Sequence, residues 1–406
     1  MQRVFDIVIV GAGIAGLAAA TLLARAGHHV TVYERYERSK PIGSGLMIQP
    51  VGLAALGRMG LRERIETLGA RIGGIHGVTD RGVTVFDLAY GELDPSFYAV
   101  AVHRAALQGT LWDAFAASGA DFVPACEIAA IKEDGGRAAL IGADGAVIAH
   151  ADLALDASGS RSTLRAAVTD RMPRDFAYGA VWATIPDPGI AAGKLAQRYI
   201  AAHTMMGVLP VGRIAEGGAR FAALFWSLRP EKYEAWHAGF EAWRAEAMRL
   251  WPELQPALAA LSGPDEFTLA RYGHMTVKRP FRGPLALIGD SAHCTSPQLG
   301  QGANHGLLDA VVLADALAAT GDVGKALALY ATERRRQTRF YQFASAALTP
   351  MFQADSRTLP WLRDLTFNRM KAVPYLKREM VRTLAGLKTG LFSSASPDQI
   401  AGLRRR

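Results

Sequence analysis

The chain has 406 residues, half of them hydrophobic and a fifth charged, which suits a soluble globular protein with a large core in two or three lobes. Its formal charge of +8 and pI near 9.6 come from dispersed basic residues whose clearest cluster is the terminal Arg404-Arg405-Arg406. That pattern argues against nucleic-acid binding and for a solvated tail and a field that attracts an anionic cofactor. The two cysteines, Cys126 and Cys294, form no CxxC pair and no metal-ligand spacing, so no disulfide scaffold or zinc site is indicated and a reducing cytoplasm is the expected setting.

From Val4 to Val10 a short apolar run gives way to Gly11-Ala12-Gly13-Ile14-Ala15-Gly16 and then to a helical pattern. Gly11 allows the turn, Gly13 removes a side chain where a pyrophosphate would approach, and Gly16 lets helix and strand pack closely. A phosphate on that turn meets the free N–H groups and the dipole of the helix N-terminus. Gly27 ends the helix, and His29 to Tyr33 form a second strand delivering Glu34 about twenty residues past the glycines, where a carboxylate binds a ribose 2'-hydroxyl. Strand, helix, second strand and terminal acid in phase point to a dinucleotide site. The same phasing accounts for the uncharged stretch from Ile7 to Ala24, which otherwise reads as a signal peptide or membrane span.

Arg35 is followed by Pro41-Ile42-Gly43-Ser44-Gly45-Leu46-Met47-Ile48-Gln49-Pro50, a flexible pocket wall or a plain connecting loop, and then by a helix with Leu53, Leu56 and Leu61 on its apolar side. Arg71 to Tyr98 is strand-like and glycine-punctuated, a sheet excursion. The chain returns to helix at Val102-His103-Arg104 and runs to about Ala117, and Arg104 at that helix start is placed to clamp phosphate. Phe122 to Leu155 alternates in short strands with turns at Asp134-Gly135-Gly136 and Asp144-Gly145, a β-meander. Its last strand runs into Asp156-Ala157-Ser158-Gly159-Ser160-Arg161-Ser162, a second phosphate-facing edge.

The middle third, Phe176 to Thr276, has long strands at Tyr178 to Ile185, Met206 to Val211 and Arg220 to Leu228. A helix follows in which Tyr233, Trp236, Phe240, Trp243, Ala247 and Leu250 define one apolar stripe that packs on the sheet. This segment reads as a second, substrate-type domain. The chain then re-enters an apolar strand, Leu285 to Ile288, followed by Gly289-Asp290-Ser291-Ala292-His293-Cys294 and by Pro297-Gln298-Leu299-Gly300-Gln301-Gly302-Ala303-Asn304. Strand, acidic turn, glycine-rich loop and helix N-terminus together accept hydroxyls through Asp290 and set backbone N–H groups against an anion or an electron-rich ring. Val323 to Arg406 reads as helical with Pro350, Pro360 and Pro374 as breaks. It packs back over the nucleotide domain or forms a dimer face, and its Arg/Lys mixed with Leu, Phe and Trp also suits a peripheral membrane contact.

With both glycine-rich turns placed, the sequence resembles the single-component FAD-dependent monooxygenases of the para-hydroxybenzoate hydroxylase type, the group A aromatic hydroxylases. The resemblance rests on the GAGIAG turn with Glu34-Arg35, the Val102-His103-Arg104 helix start and the run from Gly289 to Ala310. It implies an α/β fold: a Rossmann-type, glutathione-reductase-like FAD-binding domain (1–70, 100–175 and 277–330), a mixed-sheet substrate domain (71–99 and 176–276) and a helical C-terminal region (331–406). It further implies that Gly11, Gly13, Ile14, Ala15 and Gly16 cradle the FAD pyrophosphate, with Gly45 and Gly159 on neighbouring turns. Glu34, with Arg35, would bind the adenosine ribose, Arg104 the pyrophosphate or ribitol region, and Asp290 the ribitol. Pro297, Gly300, Gln301, Gly302, Ala303 and Asn304 would lie along the isoalloxazine.

The implied reaction is hydroxylation of an aromatic or similar electron-rich small molecule through a C4a-hydroperoxyflavin, with O2 and with NADPH or NADH as a transient co-substrate. Monomer and homodimer are both compatible. Where the family has Asp-Gly, this chain has Ser158-Gly159, which leaves the choice of nicotinamide open. No residue type marks a catalytic base, although His203, Tyr178 and Tyr272 in the middle segment are the candidates. Alternative readings are a hydroxylase of a membrane-associated quinone precursor and a flavin-binding protein that has lost monooxygenation. A halogenase is disfavoured because Val181-Trp182-Ala183-Thr184-Ile185-Pro186 replaces the WxWxIP signature.

Overall fold

The structure, a computed structural model, describes residues 3–37, 44–356, 358–370 and 372–402. Pro41, Ile42, Gly43 and the terminal Arg404 to Arg406 lie outside the described residues.

A six-stranded sheet carries the first glycine turn. Its order is Phe281–Arg282, Leu285–Leu287, Leu153–Asp156, Asp6–Val10, His29–Tyr33 and Asp121–Val123, parallel except at the Phe281–Arg282 edge. These strands are near-continuous apolar runs because both sheet faces are covered. Register does the rest. Val10 pairs with Tyr33 and with Asp156, and Asp156 with Leu287, so four strands end side by side. The residues just beyond, Gly11, Glu34, Ala157 and Ile288, form one rim.

Helix Ile14–Arg25 leaves that rim and packs on helix Gly302–Thr320, which packs in turn on the long helix Val323–Phe352. Ala15 explains how closely they approach: its methyl lies where a side chain at Gly289 or Gly306 would sit, 2.9 and 3.2 Å from their missing Cβ positions. Pro350 does not break the long helix. It sits in the last turn, where losing one N–H costs a single bond, and the helix runs on to Phe352. Pro374 opens its helix at the first position, where no N–H partner is needed.

A second, seven-stranded sheet has the order Thr268–Ala270, Gly179–Pro186, Phe221–Leu228, Thr204–Gly212, Lys194–Ile200, Gly74–Thr79 and Thr84–Ala89. Its strands alternate between two cores. One face, with Val181, Val208, Leu224 and Trp226, packs on Trp236, Phe240, Trp243 and Ala247. The stripe seen in the sequence is there, but Gly239 divides it between helices Tyr233–Ala238 and Phe240–Leu250. The other face, with Tyr199, Met205, Leu209 and Phe225, joins the core of the parallel-sheet half. Strand Gly45–Ile48 lies against this face, and a Cβ on Gly45 would fall 2.4 Å from Val211.

Trp243 meets Trp226, Trp236 and Phe267 edge-on with centroids 5.2 to 5.9 Å apart. Replacing it with alanine is expected to cost about 3–5 kcal/mol in urea denaturation while FAD content per folded molecule stays unchanged.

Candidate active site

At the first turn, Gly11 has φ 106°, and a Cβ there would lie 2.7 Å from the Ala157 carbonyl oxygen. A Cβ on Gly16 would be 2.0 Å from the Gly11 carbonyl, so helix and strand touch. Gly13 has nothing within 4 Å of its missing Cβ and opens on free space. Gly13 is also the cap of helix Ile14–Arg25, with no side-chain cap and no acid in the first turn. The N-terminal N–H groups are therefore unspent. Glu34 is buried, and its carboxylate accepts from the Ala12 N–H at 2.8 Å and the Tyr36 N–H at 3.2 Å. Arg35 is exposed and stacks over Tyr36.

His103 caps helix Arg104–Ala116, its Nδ1 accepting from the Ala105 N–H at 3.2 Å. This sets Arg104 at the helix start, where its charge acts on Asp290. One turn on, Gln108 donates to the Ala12 carbonyl at 2.7 Å, tying this helix to the glycine turn. Gln108 was missed by sequence reading because a glutamine in a helix carries no pattern.

The Ser158 turn is built on Asp156. That carboxylate, wholly buried at the strand end, accepts from the Ser158 N–H at 2.9 Å, the Ser158 hydroxyl at 2.6 Å and the Ser162 hydroxyl at 2.5 Å. Burial pushes its pKa up, opposed by these hydrogen bonds and by Arg165. Arg165 spends its guanidinium on carbonyls of the two turns, Ser291 at 2.7 Å and Ser160 at 2.9 Å. Gly159 has φ 92° and nothing within 4 Å of its missing Cβ.

At the second turn, Gly289 adopts φ 62° and its N–H donates to Asp309 at 2.8 Å. Asp309, fully buried, also accepts from His293 Nε2 at 2.6 Å and Arg334 Nε at 2.7 Å. Burial alone would raise its pKa, but His293 and Arg334 hold it well below the usual carboxylate range. Asp290 keeps solvent contact, and a Cβ on Gly302 would lie 3.7 Å from its Oδ1, which places the carboxylate by the start of helix Gly302–Thr320.

In the loop that follows, Pro297–Leu299 forms a 3-10 turn and Gly300 takes a left-handed conformation. Two residues expected to face a ring spend their side chains elsewhere. Asn304 accepts from the Gln49 N–H at 2.8 Å and donates to the carbonyls of Gly300 at 2.8 Å and Met47 at 3.1 Å. Gln301 donates to the Leu384 carbonyl at 2.9 Å. Both are struts, and what the loop offers at these two positions is backbone. Gly302 and Ala303 are half-buried at the helix start, Ile14 packs on the core, and Ala15 packs between Gly289 and Gly306 as described. Of the candidate bases, His203 is exposed and pairs with Thr204, while Tyr178 donates to Asp355. Tyr272 accepts from Trp182 Nε1 at 2.8 Å, and burial pushes its hydroxyl up to about 12, so it is a phenol at neutral pH.

The arrangement fits FAD: an open glycine turn at an uncapped helix start, a carboxylate on the neighbouring strand end, and a second acid beside a loop of available backbone groups. Residues 4–343 match the FAD binding domain family. The chain belongs to this family. It is 28% identical over 342 residues to the FAD-dependent urate hydroxylase of Klebsiella pneumoniae, covering 82% of this chain and 86% of that one. It is 28% identical over 335 residues to the 3-amino-4-hydroxybenzoate 2-monooxygenase of Streptomyces cremeus, covering 78% and 79%. The crystal structure of Klebsiella pneumoniae HpxO complexed with FAD and uric acid superposes with TM-score 0.79 at 22% identity, over 97% of this chain and 99% of that chain. The tetrameric form of 2-methyl-3-hydroxypyridine-5-carboxylic acid oxygenase gives 0.76 at 20%, over 97% and 99%. The chain is an FAD-dependent monooxygenase of the flavin aromatic hydroxylase type. No helix among the described residues is long and apolar enough to cross a membrane.

Two predictions follow from the packing and burial. Gly16→Val is expected to lose the fold, whereas Gly13→Ala, whose methyl meets only open space, should keep its urea midpoint and bind FAD at least about tenfold more weakly by flavin-fluorescence titration. His305 is buried with Nε2 unpaired, and burial followed by Arg334 and His293 holds its pKa well below 6.5. It stays neutral in the fold while the unfolded chain protonates near pH 6.5, so it drains stability as pH falls through that value. His305→Leu should flatten the stability slope between pH 7 and 5 by up to about 1.4 kcal/mol per pH unit, measured by urea denaturation.

Proposed function

We propose that the enzyme uses NADPH or NADH and O2 to hydroxylate a small aromatic or heteroaromatic substrate held between the seven-stranded sheet and the Pro297 to Asn304 loop. The observation that carries this reading is the convergence, on one sheet rim, of the open Gly13 turn, Glu34 and the Asp290 turn, with Arg104 on a neighbouring element near enough for its charge to act on Asp290. Gly11 to Gly16 and the helix start would hold the FAD pyrophosphate, Glu34 and Arg35 the adenosine ribose, and Arg104 the pyrophosphate or ribitol. Asp290 would take the ribitol hydroxyls, with Gly159, open at its missing Cβ, leaving room beside it and Gly45, packed against Val211, offering its backbone. When bound, FAD supplies oxygen activation and hydroxyl transfer. The protein's own part is positioning. N–H groups of the Pro297 to Asn304 loop are fixed before substrate arrives by the Asn304 and Gln301 struts, and such preorganised dipoles stabilise charge without further reorganisation. The apolar face of the sheet excludes water from the reacting atoms.

The division of the chain into a discontinuous FAD domain, a sheet domain and a helical C-terminus is part of the same proposal. So is substrate choice among compounds related to urate and aminohydroxybenzoates, on which similar enzymes act.

The test is the visible spectrum of the purified protein with NADPH and then NADH in air. Flavin bands should bleach slowly alone and quickly once an aromatic ligand from a panel of phenolic acids and heteroaromatics is added. Flavin that neither nicotinamide reduces with any ligand present would overturn the reading. Asp290→Ala is expected to weaken FAD binding by at least about tenfold, read by flavin-fluorescence titration.

A further inference from the structure

Two glutamines, Gln197 on the sheet face turned toward strand Gly45–Ile48 and Gln49 just past the end of that strand, are locked by tyrosines. Tyr90 donates its hydroxyl to Gln49 Oε1 at 2.5 Å, and Tyr199 donates to Gln197 Oε1 at 2.9 Å. Each bond fixes the carboxamide so that its NH2 points away from the tyrosine. Gln49 and Tyr90 are both fully buried, and Gln49 Nε2 has no hydrogen-bond partner among the described residues. It lies 3.5 Å from where a Cβ on Gly300 would be, against the loop after Pro297. Gln197, 9% exposed, directs Nε2 at the Met205 thioether, a weak acceptor 3.6 Å away. Within the loop itself, Gln298 Nε2 is a second buried amide nitrogen without a partner among the described residues. A buried donor left unpaired costs about 1–3 kcal/mol, so such groups persist where a ligand satisfies them.

The charges on this face are equally specific. None of the residues that alternate onto it from the four long strands is a lysine or arginine: Leu195, Gln197 and Tyr199 from one, and Met205, Gly207, Leu209 and Val211 from the next, typify them. Arg198 points to the opposite face, over Trp251. Arg363, which stacks on Tyr199, is committed to the Ala201 and Met351 carbonyls and to Asp364. Arg104, whose charge reaches Tyr272 beside Trp182, is assigned to the FAD phosphates in the reading above, so among the described residues a carboxylate buried here would have no cation of its own, and burying an unpaired charge is far costlier than burying a carbonyl.

Resting on the hydroxylase reading above, we infer that the substrate is a carboxylate-free heteroaromatic whose lactam or enolate oxygens and ring nitrogens accept from the Gln49 and Gln197 amides. A benzoate is not the substrate class. Discrimination comes from unpaired donors: a site built around N–H groups loses most when the ligand lacks matching acceptors.

The experiment is titration of the FAD-loaded enzyme, followed by the flavin absorbance change, with urate and 2,4-dihydroxyquinoline as lactam probes and 4-hydroxybenzoate and 3-amino-4-hydroxybenzoate as carboxylate probes. At least one lactam probe should bind about tenfold or more tightly than either benzoate. Gln49→Leu and Gln197→Leu should each weaken that probe about tenfold and shift benzoate binding less than threefold. Tighter benzoate binding, no response to any probe, or folded FAD-bound variants that keep wild-type affinity for the lactam probe would overturn the inference. Should a variant lose FAD, the wild-type ranking decides alone. NADPH oxidation accelerated by a benzoate would sink the substrate class and leave the hydroxylase reading standing. Flavin that stays oxidised under NADPH and NADH with every probe would sink both.

Discussion

The buried Asp309 carboxylate is the interaction on which the site depends. Taking a carboxylate out of water costs several kcal/mol, which only close donors offset. Asp309 has three: the Gly289 N–H, His293 and Arg334. These come from the strand-to-helix turn and from the long C-terminal helix, while Asp309 itself is on helix Gly302–Thr320. One side chain thus fixes the backbone of the Gly289-Asp290 turn, the start of the loop that follows and the helix packed behind them. His293 and Arg334 favour its charge strongly enough to outweigh burial and lower its pKa.

A second buried carboxylate, Asp156, plays the parallel role at the adjacent strand end. The turn that carries Ser158 in place of an aspartate has not lost its acid. It has an acid two residues earlier, directed inward and satisfied by Ser158 and Ser162. Arg165 then joins the two turns through carbonyls on both sides. The charge of this turn lies buried behind its backbone.

How much of this was legible follows from the range of the forces involved. The first glycine turn was readable because its chemistry is local: positive φ at Gly11, contact at Gly16 and space at Gly13 are set within a few residues. The Trp236–Trp243 stripe was readable from periodicity, although Gly239 splits its helix, because packing on the sheet decides the stripe and not helix continuity. The struts were not. Asn304 and Gln301 look like ligand residues in a motif, yet their partners, Met47, Gln49 and Leu384, lie far away in sequence. Nor did any local signal pair strand Lys194–Ile200 in parallel with Gly74–Thr79, more than a hundred residues earlier. Gln49 and Gln197 were invisible for the same reason, since only the fold brings each its tyrosine, leaves the Gln49 amide without a partner among the described residues and sets the Gln197 amide against a thioether.

Asp309 holds the Gly289-Asp290 turn in the conformation proposed to meet the flavin. The direct measurement is the FAD dissociation constant of Asp309→Asn beside the native chain, with far-UV circular dichroism to confirm that both are folded. The variant should fold and bind FAD about thirtyfold or more weakly, because Arg334 and His293 lose their counter-charge and the turn relaxes. Undiminished FAD affinity in a folded Asp309→Asn protein would contradict it.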